Sequence, residues 1–130
     1  MQIVIPMSGF GERFRDAGYL IPKPLIEVDG KPIIQHVVEM FPGEDDITFI
    51  CNKDHLDNEK YLMGETLMAI APNARIVSID PHKLGPVHAV IKAVSLLDLT
   101  KPTIVNYADF TCDWNFLDFC EKVEQIDCDG

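Results

Sequence analysis

The sequence predicts an α/β fold with a doubly wound, mostly parallel sheet and helices on both faces. Three observations carry this prediction. Short apolar runs alternate along the chain with stretches of helical periodicity. Glycine and proline turns separate them. Two of the runs, Ile3–Ile5 and Ile47–Cys51, are almost continuously apolar, which is typical of strands buried on both faces. Strands that alternate with helices in this way favour a parallel sheet.

Length and composition indicate one domain over residues 1–130. The formal net charge of −10 argues against a nucleic-acid partner, because binding to a phosphate backbone needs a basic face. No apolar run approaches the roughly 18 residues of a membrane span. The four cysteines show no zinc-binding spacing. We therefore expect a cytoplasmic protein with neither a membrane nor a nucleic acid as partner.

The first third of the chain begins with the strand Ile3–Ile5 and a glycine turn. Residues 25–28 predict a short extended piece, which a turn at Asp29 and Gly30 closes. Pro32 is well placed as the first residue of a helix that Pro42 and Gly43 end. An apolar stripe at helical spacing runs along this helix, formed by Ile33, Ile34, Val37, Val38 and Phe41.

After the strand Ile47–Cys51, residues 52–56 predict a loop and residues 57–71 a helix with Met63 and Met68 in the core. Residues 74–79 predict the third strand, in the centre of the sheet. Pro86 then begins a helix whose predicted buried stripe consists of Val87, Val90, Ile91, Val94 and Leu97.

Residues 103–106 predict the fourth strand, and Asp113 is expected to cap a helix that carries Phe116, Leu117, Cys120 and Val123. A further strand is expected to begin at residues 125–126, close to the last residue. We therefore expect a fragment apparently truncated at the C-terminus, with an incomplete sheet. An exposed final edge would favour pairing with another chain, so a homo-oligomer is possible.

The functional signal lies in the first 25 residues. A buried strand runs into the turn Ser8-Gly9-Phe10-Gly11, and such turns present backbone N–H groups to anions. Arg13 follows the turn, and Lys23 stands between two prolines. The turn is no dinucleotide fingerprint, because the third glycine of that motif is replaced by Phe14, and the chain has no P-loop string. These parts together predict a polyphosphate site.

The complete pattern, a strand followed by Gly-x-Gly-x-Arg-Phe and then Pro-Lys-Pro-Leu, resembles the signature of the nucleoside-diphosphate-sugar pyrophosphorylases. These are sugar-phosphate nucleotidyltransferases of Rossmann-like, GT-A-like fold. The resemblance implies that Arg13, Lys23 and Asp109 are catalytic, that Asp109 holds Mg²⁺, and that Gly85 lets the nucleotide base approach the backbone. The implied nucleotide-binding residues are Met7, Ser8, Gly9, Phe10, Gly11, Glu12, Arg13, Lys23 and Gly85.

The implied reaction joins a nucleoside triphosphate to a sugar 1-phosphate and releases pyrophosphate, within nucleotide sugar and polysaccharide biosynthesis. The sequence departs from the family at Pro86, where a small hydroxyl residue is usual, and at His82 and Lys83, where a glutamine is often found. The base and the sugar therefore stay open. One alternative is a glycosyltransferase of related fold, although Asp109 and Asp113 are spaced too widely for its Asp-x-Asp motif. Another is a non-catalytic nucleotide-binding or regulatory domain.

Overall fold

The computed structural model describes residues 1–126 and centres on a four-stranded parallel sheet. The strands are β1 (Gln2–Met7), β2 (Glu27–Val28), β3 (Lys31–Pro32), β4 (Ile47–Asn52), β5 (Arg75–Ile79) and β6 (Thr103–Val105). β2 and β3 form a separate antiparallel hairpin, and the main sheet has the order β5-β4-β1-β6. The chain thus runs from β1 outward to β5 and then returns to the other side of β1. This reversal creates a switch point between β1 and β6, where ligands of open α/β sheets bind.

Helices cover both faces of the sheet, as the sequence predicts. They are α1 (Glu12–Asp16), α2 (Ile33–Val38), α3 (Lys53–Asp57), α4 (Met63–Ile70), α5 (Pro86–Ala93) and α6 (Phe116–Ile126). Residues of α2, α4 and α6 share one apolar cluster with one face of β1 and β4. Residues of α5 share a second cluster with the opposite face. Among residues 1–126, no helix is both long and apolar enough to span a membrane.

The two central strands are buried along their whole lengths, which explains their almost continuous apolar sequences. They pair in parallel with Ile5 beside Phe49, and both side chains are fully buried. Alternate residues of each strand enter opposite clusters, so Ile5 packs with α2 and α4 whereas Val4 packs against α5.

The predicted buried stripe of α5 is correct only in part, because Val90 and Leu97 pack against the second cluster whereas its other members are exposed. Val87 and Ile91 are 70% and 61% exposed, and the helix instead lays Ala89 and Ala93 on the sheet, both fully buried. The two alanines stand four residues apart on one helical face, and their small side chains allow the helix axis to approach the strands closely. The apolar periodicity therefore included residues of the exposed face, because the size of a side chain as well as its polarity decides which face packs inward.

The region after β4 also differs from its prediction. Residues 53–57 form the short helix α3 instead of a loop, since the Asn52 side chain accepts a hydrogen bond from the Asp54 backbone N–H at 2.9 Å and caps its start. The next helix begins only at Met63, which is buried as predicted, whereas Met68 is 41% exposed. β5 lies at an edge of the described sheet and not in its centre.

The last helix corrects two further predictions. Its first turn is capped by Asn115, whose Oδ1 accepts a hydrogen bond from the Asp118 backbone N–H at 3.1 Å, so Asp113 is not the cap. Residues 125–126 belong to α6 and form no strand.

The start of α2 also differs from its prediction, because Pro32 precedes this helix as its cap residue and is not its first residue. The acidic residues Asp127 and Asp129 lie outside the described residues.

Candidate active site

A cleft of about 700 Å³ opens at the carboxyl ends of the strands, beside the switch point between β1 and β6. Loops that follow three strands, β1, β5 and β6, contribute to it, together with the segment around Lys23. The lining residues are Pro6, Ser8, Gly9, Phe10, Gly11, Glu12, Arg13, Phe14, Lys23, His82, Lys83, Gly85, Pro86, Tyr107 and Asp109. The cleft therefore brings together every predicted site residue except Met7. The Met7 side chain is 4% exposed and packs in the core, which leaves only its backbone near the loop.

The glycine loop owes its shape to Gly11. This residue adopts φ 62° and ψ 34°, the left-handed conformation that glycine accepts without a steric penalty, and it directly precedes α1. Within residues 1–126, the backbone N–H groups of Gly9, Phe10 and Gly11 donate to no other residue. The loop consequently presents unpaired donors at the cleft, as an anion-binding loop requires.

Two buried polar side chains hold this loop in place through hydrogen bonds. Asn52 at the end of β4 is fully buried and donates from Nδ2 to the Ser8 carbonyl oxygen at 3.3 Å. Ser8 is itself 3% exposed, and its hydroxyl lies 3.3 Å from Nε2 of His82. Nδ1 of His82 accepts the Leu84 backbone N–H at 3.2 Å, so the neutral ring carries its proton on Nε2 and donates it to Ser8. The loops after β1 and β5 are thereby joined.

His82 should make the protein less stable as the pH falls. Burial, followed by the charges of His88 and Lys92, lowers the pKa of His82 below its ordinary value. Because the unfolded chain takes up a proton near pH 6.5 before the folded His82 does, we expect the free energy of unfolding to fall from about pH 7 downward until the lowered pKa is passed. Burial also lowers the pKa of His55, which adds to the slope in the same direction.

Urea unfolding at several pH values between about 7.5 and 5.5 measures this dependence. A His82→Asn variant is expected to show a shallower slope than the wild type. An identical slope in the two proteins would contradict the assigned protonation state.

Lys23 and Asp109 meet across the cleft. The Lys23 ammonium forms an ion pair with Oδ2 of Asp109, and these side chains are 30% and 44% exposed. Nζ of Lys23 also lies 4.8 Å from the centroid of the Phe14 ring, within cation–π range. Both neighbours of Lys23, Pro22 and Pro24, are buried, which fixes the backbone that carries the lysine. The cation and the carboxylate therefore face the same space.

The Arg13 side chain in the cleft remains available to bind a ligand. It lies on α1, is exposed, and forms no ion pair with residues 1–126. Its planar guanidinium can therefore donate two parallel hydrogen bonds to phosphate oxygens. Arg15, two residues further along α1, does not line the cleft and approaches the Phe10 ring at 5.9 Å instead.

Gly85 precedes α5 with φ 83° and ψ 175°, a conformation that essentially only glycine adopts. We expect Gly85→Ala to lower the free energy of unfolding by about 1–3 kcal/mol, entirely through backbone strain. Among residues 1–126, a Cβ at this position would meet nothing within 4 Å, so no steric clash contributes.

Gly64 in α4 provides a matched control because its φ is ordinary and an added Cβ would also meet no atom of the described residues within 4 Å. Gly64→Ala is expected to stabilise the protein by about 0.5–1 kcal/mol. Urea unfolding of both variants tests the pair, and equal effects of the two substitutions would refute the strain at Gly85.

A smaller cavity of about 200 Å³ lies on the other side of the glycine loop and shares Phe10, Gly11 and Lys23 with the cleft. His55 lines this cavity, and Nδ1 of His55 is a buried atom that has no hydrogen-bond partner among the described residues. No predicted metal ligand or catalytic residue other than Lys23 reaches this cavity. The larger cleft is therefore the better candidate for chemistry.

Phe14 and Tyr107 also line the cleft and were not predicted as site residues, and His82 and Lys83 were recognised only as departures from the family pattern. Lys83 extends over the cleft, where its Nζ lies 2.5 Å from Oε1 of Glu12. The position of His82 and Lys83 in the chain is the signal that could have identified them as site residues. Residues 80–85 follow β5, and the loops that follow the strands of a parallel sheet meet at one edge of it.

Asp109 can supply one hard oxygen ligand to a metal ion. Among residues 1–126 no cluster of three or more acidic, histidine or cysteine side chains could hold a metal by itself. Magnesium is commonly bound by one or two carboxylates together with substrate phosphates and water, so a single carboxylate beside a phosphate loop fits that ion.

The fold and the cleft together define an α/β protein with a glycine loop of unpaired backbone N–H groups at its switch point. A family model described as nucleotidyl transferase matches residues 3–129. The chain belongs to this nucleotidyl transferase family. The bifunctional protein GlmU of Ralstonia nicotianae is 34% identical over 110 residues, and GlmU of Paraburkholderia phymatum is 30% identical over 109 residues. Each of these matches covers 84% of the chain and 22% of the relative.

Solved structures share the fold. HddC from Yersinia pseudotuberculosis, complexed with GMP-PN, aligns with a TM-score of 0.68 and 23% identity over 94% of this chain and 53% of that one. The UTP-bound UGPase from Acinetobacter baumannii aligns with a TM-score of 0.68 and 21% identity over 95% of this chain and 52% of that one. The chain therefore spans about half of these solved structures and about a fifth of the curated relatives.

Proposed function

We propose that the chain is the nucleotide-binding portion of a sugar-1-phosphate nucleotidyltransferase, which joins a nucleoside triphosphate to a sugar 1-phosphate. The observation that carries the proposal is one cleft that gathers a glycine loop with unpaired N–H groups, Arg13, Lys23 and Asp109 from distant parts of the chain. Membership of the nucleotidyl transferase family supports it. So do the nucleotide complexes of structural neighbours, with GMP-PN and with UTP.

In the proposed reaction, an oxygen of the sugar 1-phosphate attacks the α-phosphorus of the triphosphate. The bond from the α-phosphorus to the bridging oxygen breaks, and that oxygen leaves with pyrophosphate. Such chemistry requires mainly positioning and charge neutralisation. The N–H groups of the glycine loop and Arg13 would hold the phosphates, and Lys23 would neutralise the charge that develops on the departing oxygens.

Asp109 is the proposed magnesium ligand. When bound, the metal would supply further neutralisation of phosphate charge. In the described structure Lys23 occupies Oδ2 of this carboxylate. Lys23 would therefore exchange the carboxylate for phosphate oxygens when Asp109 takes up the metal, and the two events would favour each other.

The broader setting is also part of the proposal. We place the activity in nucleotide sugar and polysaccharide biosynthesis, in the cytoplasm, and the free thiols of Cys51, Cys112 and Cys120 are consistent with a reducing compartment. Residues 1–130 would form one unit of a nucleotidyltransferase domain. Its sheet edge at β6 would be available for pairing with another chain.

A thermal-shift panel tests the proposed function. It uses UTP, dTTP, CTP, GTP and ATP, each with and without magnesium. A ligand at 100 times its dissociation constant adds about 2.7 kcal/mol of stability, which raises the midpoint by several degrees. We expect one base to give the largest shift and magnesium to enlarge it. Absence of a shift with all five nucleotides would contradict the proposal.

A further inference from the structure

The cleft contains a second pair of opposite charges besides Lys23 and Asp109. Lys83, in the loop between β5 and α5, extends across the opening so that Nζ lies 2.5 Å from Oε1 of Glu12, the first residue of α1. The same ammonium lies 5.8 Å from the centroid of the Phe10 ring. A lysine from a loop 71 residues away in the sequence is thus held directly beside the glycine loop.

We propose that Lys83 is a third phosphate-binding cation of this cleft, which Glu12 holds beside the glycine loop until a polyphosphate takes its place. The inference rests on the proposed function and adds to it a residue that the family signature does not contain.

The exposure of the pair favours such an exchange. Lys83 and Glu12 are 71% and 55% exposed, and an ion pair so open to water is weak because solvent screens it. A polyphosphate carries several negative charges, and the lysine can rotate about its flexible stem to meet them. Lys83 lowers the pKa of Glu12 by hydrogen bonding and charge, so Glu12 stays ionised at neutral pH and would repel the same phosphates.

The two partners should therefore have opposite effects on binding. Removing the lysine charge loses an attraction, and removing the glutamate charge loses both a repulsion and the competitor for Lys83. An ion pair that takes no part in ligand binding would not give this pattern, because neither of its members would contact the ligand.

Isothermal titration with inorganic tripolyphosphate and orthophosphate tests this assignment independently of the nucleotide base. We expect Lys83→Gln to weaken tripolyphosphate binding about three- to tenfold at low salt, which is less than a charged hydrogen bond usually contributes because the site is exposed. The loss for orthophosphate should be smaller. Lys83→Arg should restore most of the affinity. Lys92→Gln, an exposed lysine of α5 outside the cleft, is the matched control and should have little effect.

Glu12→Gln completes the test. It should strengthen tripolyphosphate binding in the wild-type background and do so markedly less in the Lys83→Gln background. Equal affinity of wild type and Lys83→Gln, or an equal gain from Glu12→Gln in both backgrounds, would overturn the role of Lys83 and leave the proposed function standing. A wild type that does not bind tripolyphosphate would overturn the polyphosphate cleft and Lys83 with it.

Discussion

Replacing Arg13 with alanine is expected to weaken binding of the nucleoside triphosphate by about 1.5–3 kcal/mol, the size of a charged hydrogen bond. That loss corresponds to roughly a 10- to 150-fold rise in the dissociation constant. The physical reason is that Arg13 lines the cleft, forms no ion pair with residues 1–126, and can donate its full set of hydrogen bonds to phosphate. Isothermal titration with the triphosphate and magnesium measures the change.

Arg15→Ala is the matched control for this variant. It removes the same side chain from the same short helix, but Arg15 lines the smaller cavity and not the cleft. We expect its effect on affinity to be well below that of Arg13→Ala. If the two variants lose the same affinity, general positive charge attracts the nucleotide and the specific role of Arg13 is refuted.

Replacing Asp109 with alanine is expected to abolish the magnesium dependence of triphosphate binding. Titrations with magnesium and with a chelator should then give the same dissociation constant, because the proposed protein ligand of the metal is gone. In the chelator alone the variant should bind more tightly than the wild type, since Lys23 no longer pairs with a carboxylate and is free for phosphate.

Asp113→Ala controls for the loss of a negative charge near the cleft. Asp113 is exposed, follows the same strand and does not line the cleft, so magnesium should enhance binding as in the wild type. A magnesium effect that persists undiminished in Asp109→Ala would remove Asp109 from the metal site.

The main features of the fold could be predicted because burial leaves a clear mark on sequence. Strands buried on both faces, such as β1 and β4, require almost unbroken apolar runs. The start of α5 at Pro86 follows equally directly from proline's fixed φ. The prediction of the buried face of α5 was partly wrong, because two faces of this helix carry apolar residues. The outer stripe of α5 is more apolar than its buried alanines, and only tertiary packing decides between the two faces.

The cleft was partly predictable for a different reason. The loops that follow parallel strands meet at one edge, so the convergence of Arg13 and Asp109 follows from topology. The pairing of Lys83 with Glu12 could not be predicted, since both are surface residues of segments far apart in the sequence and nothing in the local sequence links them. The buried support from Asn52 was missed as well, because a polar residue that ends a strand is indistinguishable from an ordinary turn residue.

The most direct test of the central claim is an amide NMR titration of the protein with magnesium and the nucleoside triphosphate that gives the largest thermal shift. We predict that the largest shift changes fall on the amides of Gly9, Gly11 and Gly85, around the cleft at the carboxyl ends of the strands. Changes that cluster instead around His55 and Tyr61 in the smaller cavity, with the glycine loop unaffected, would contradict it.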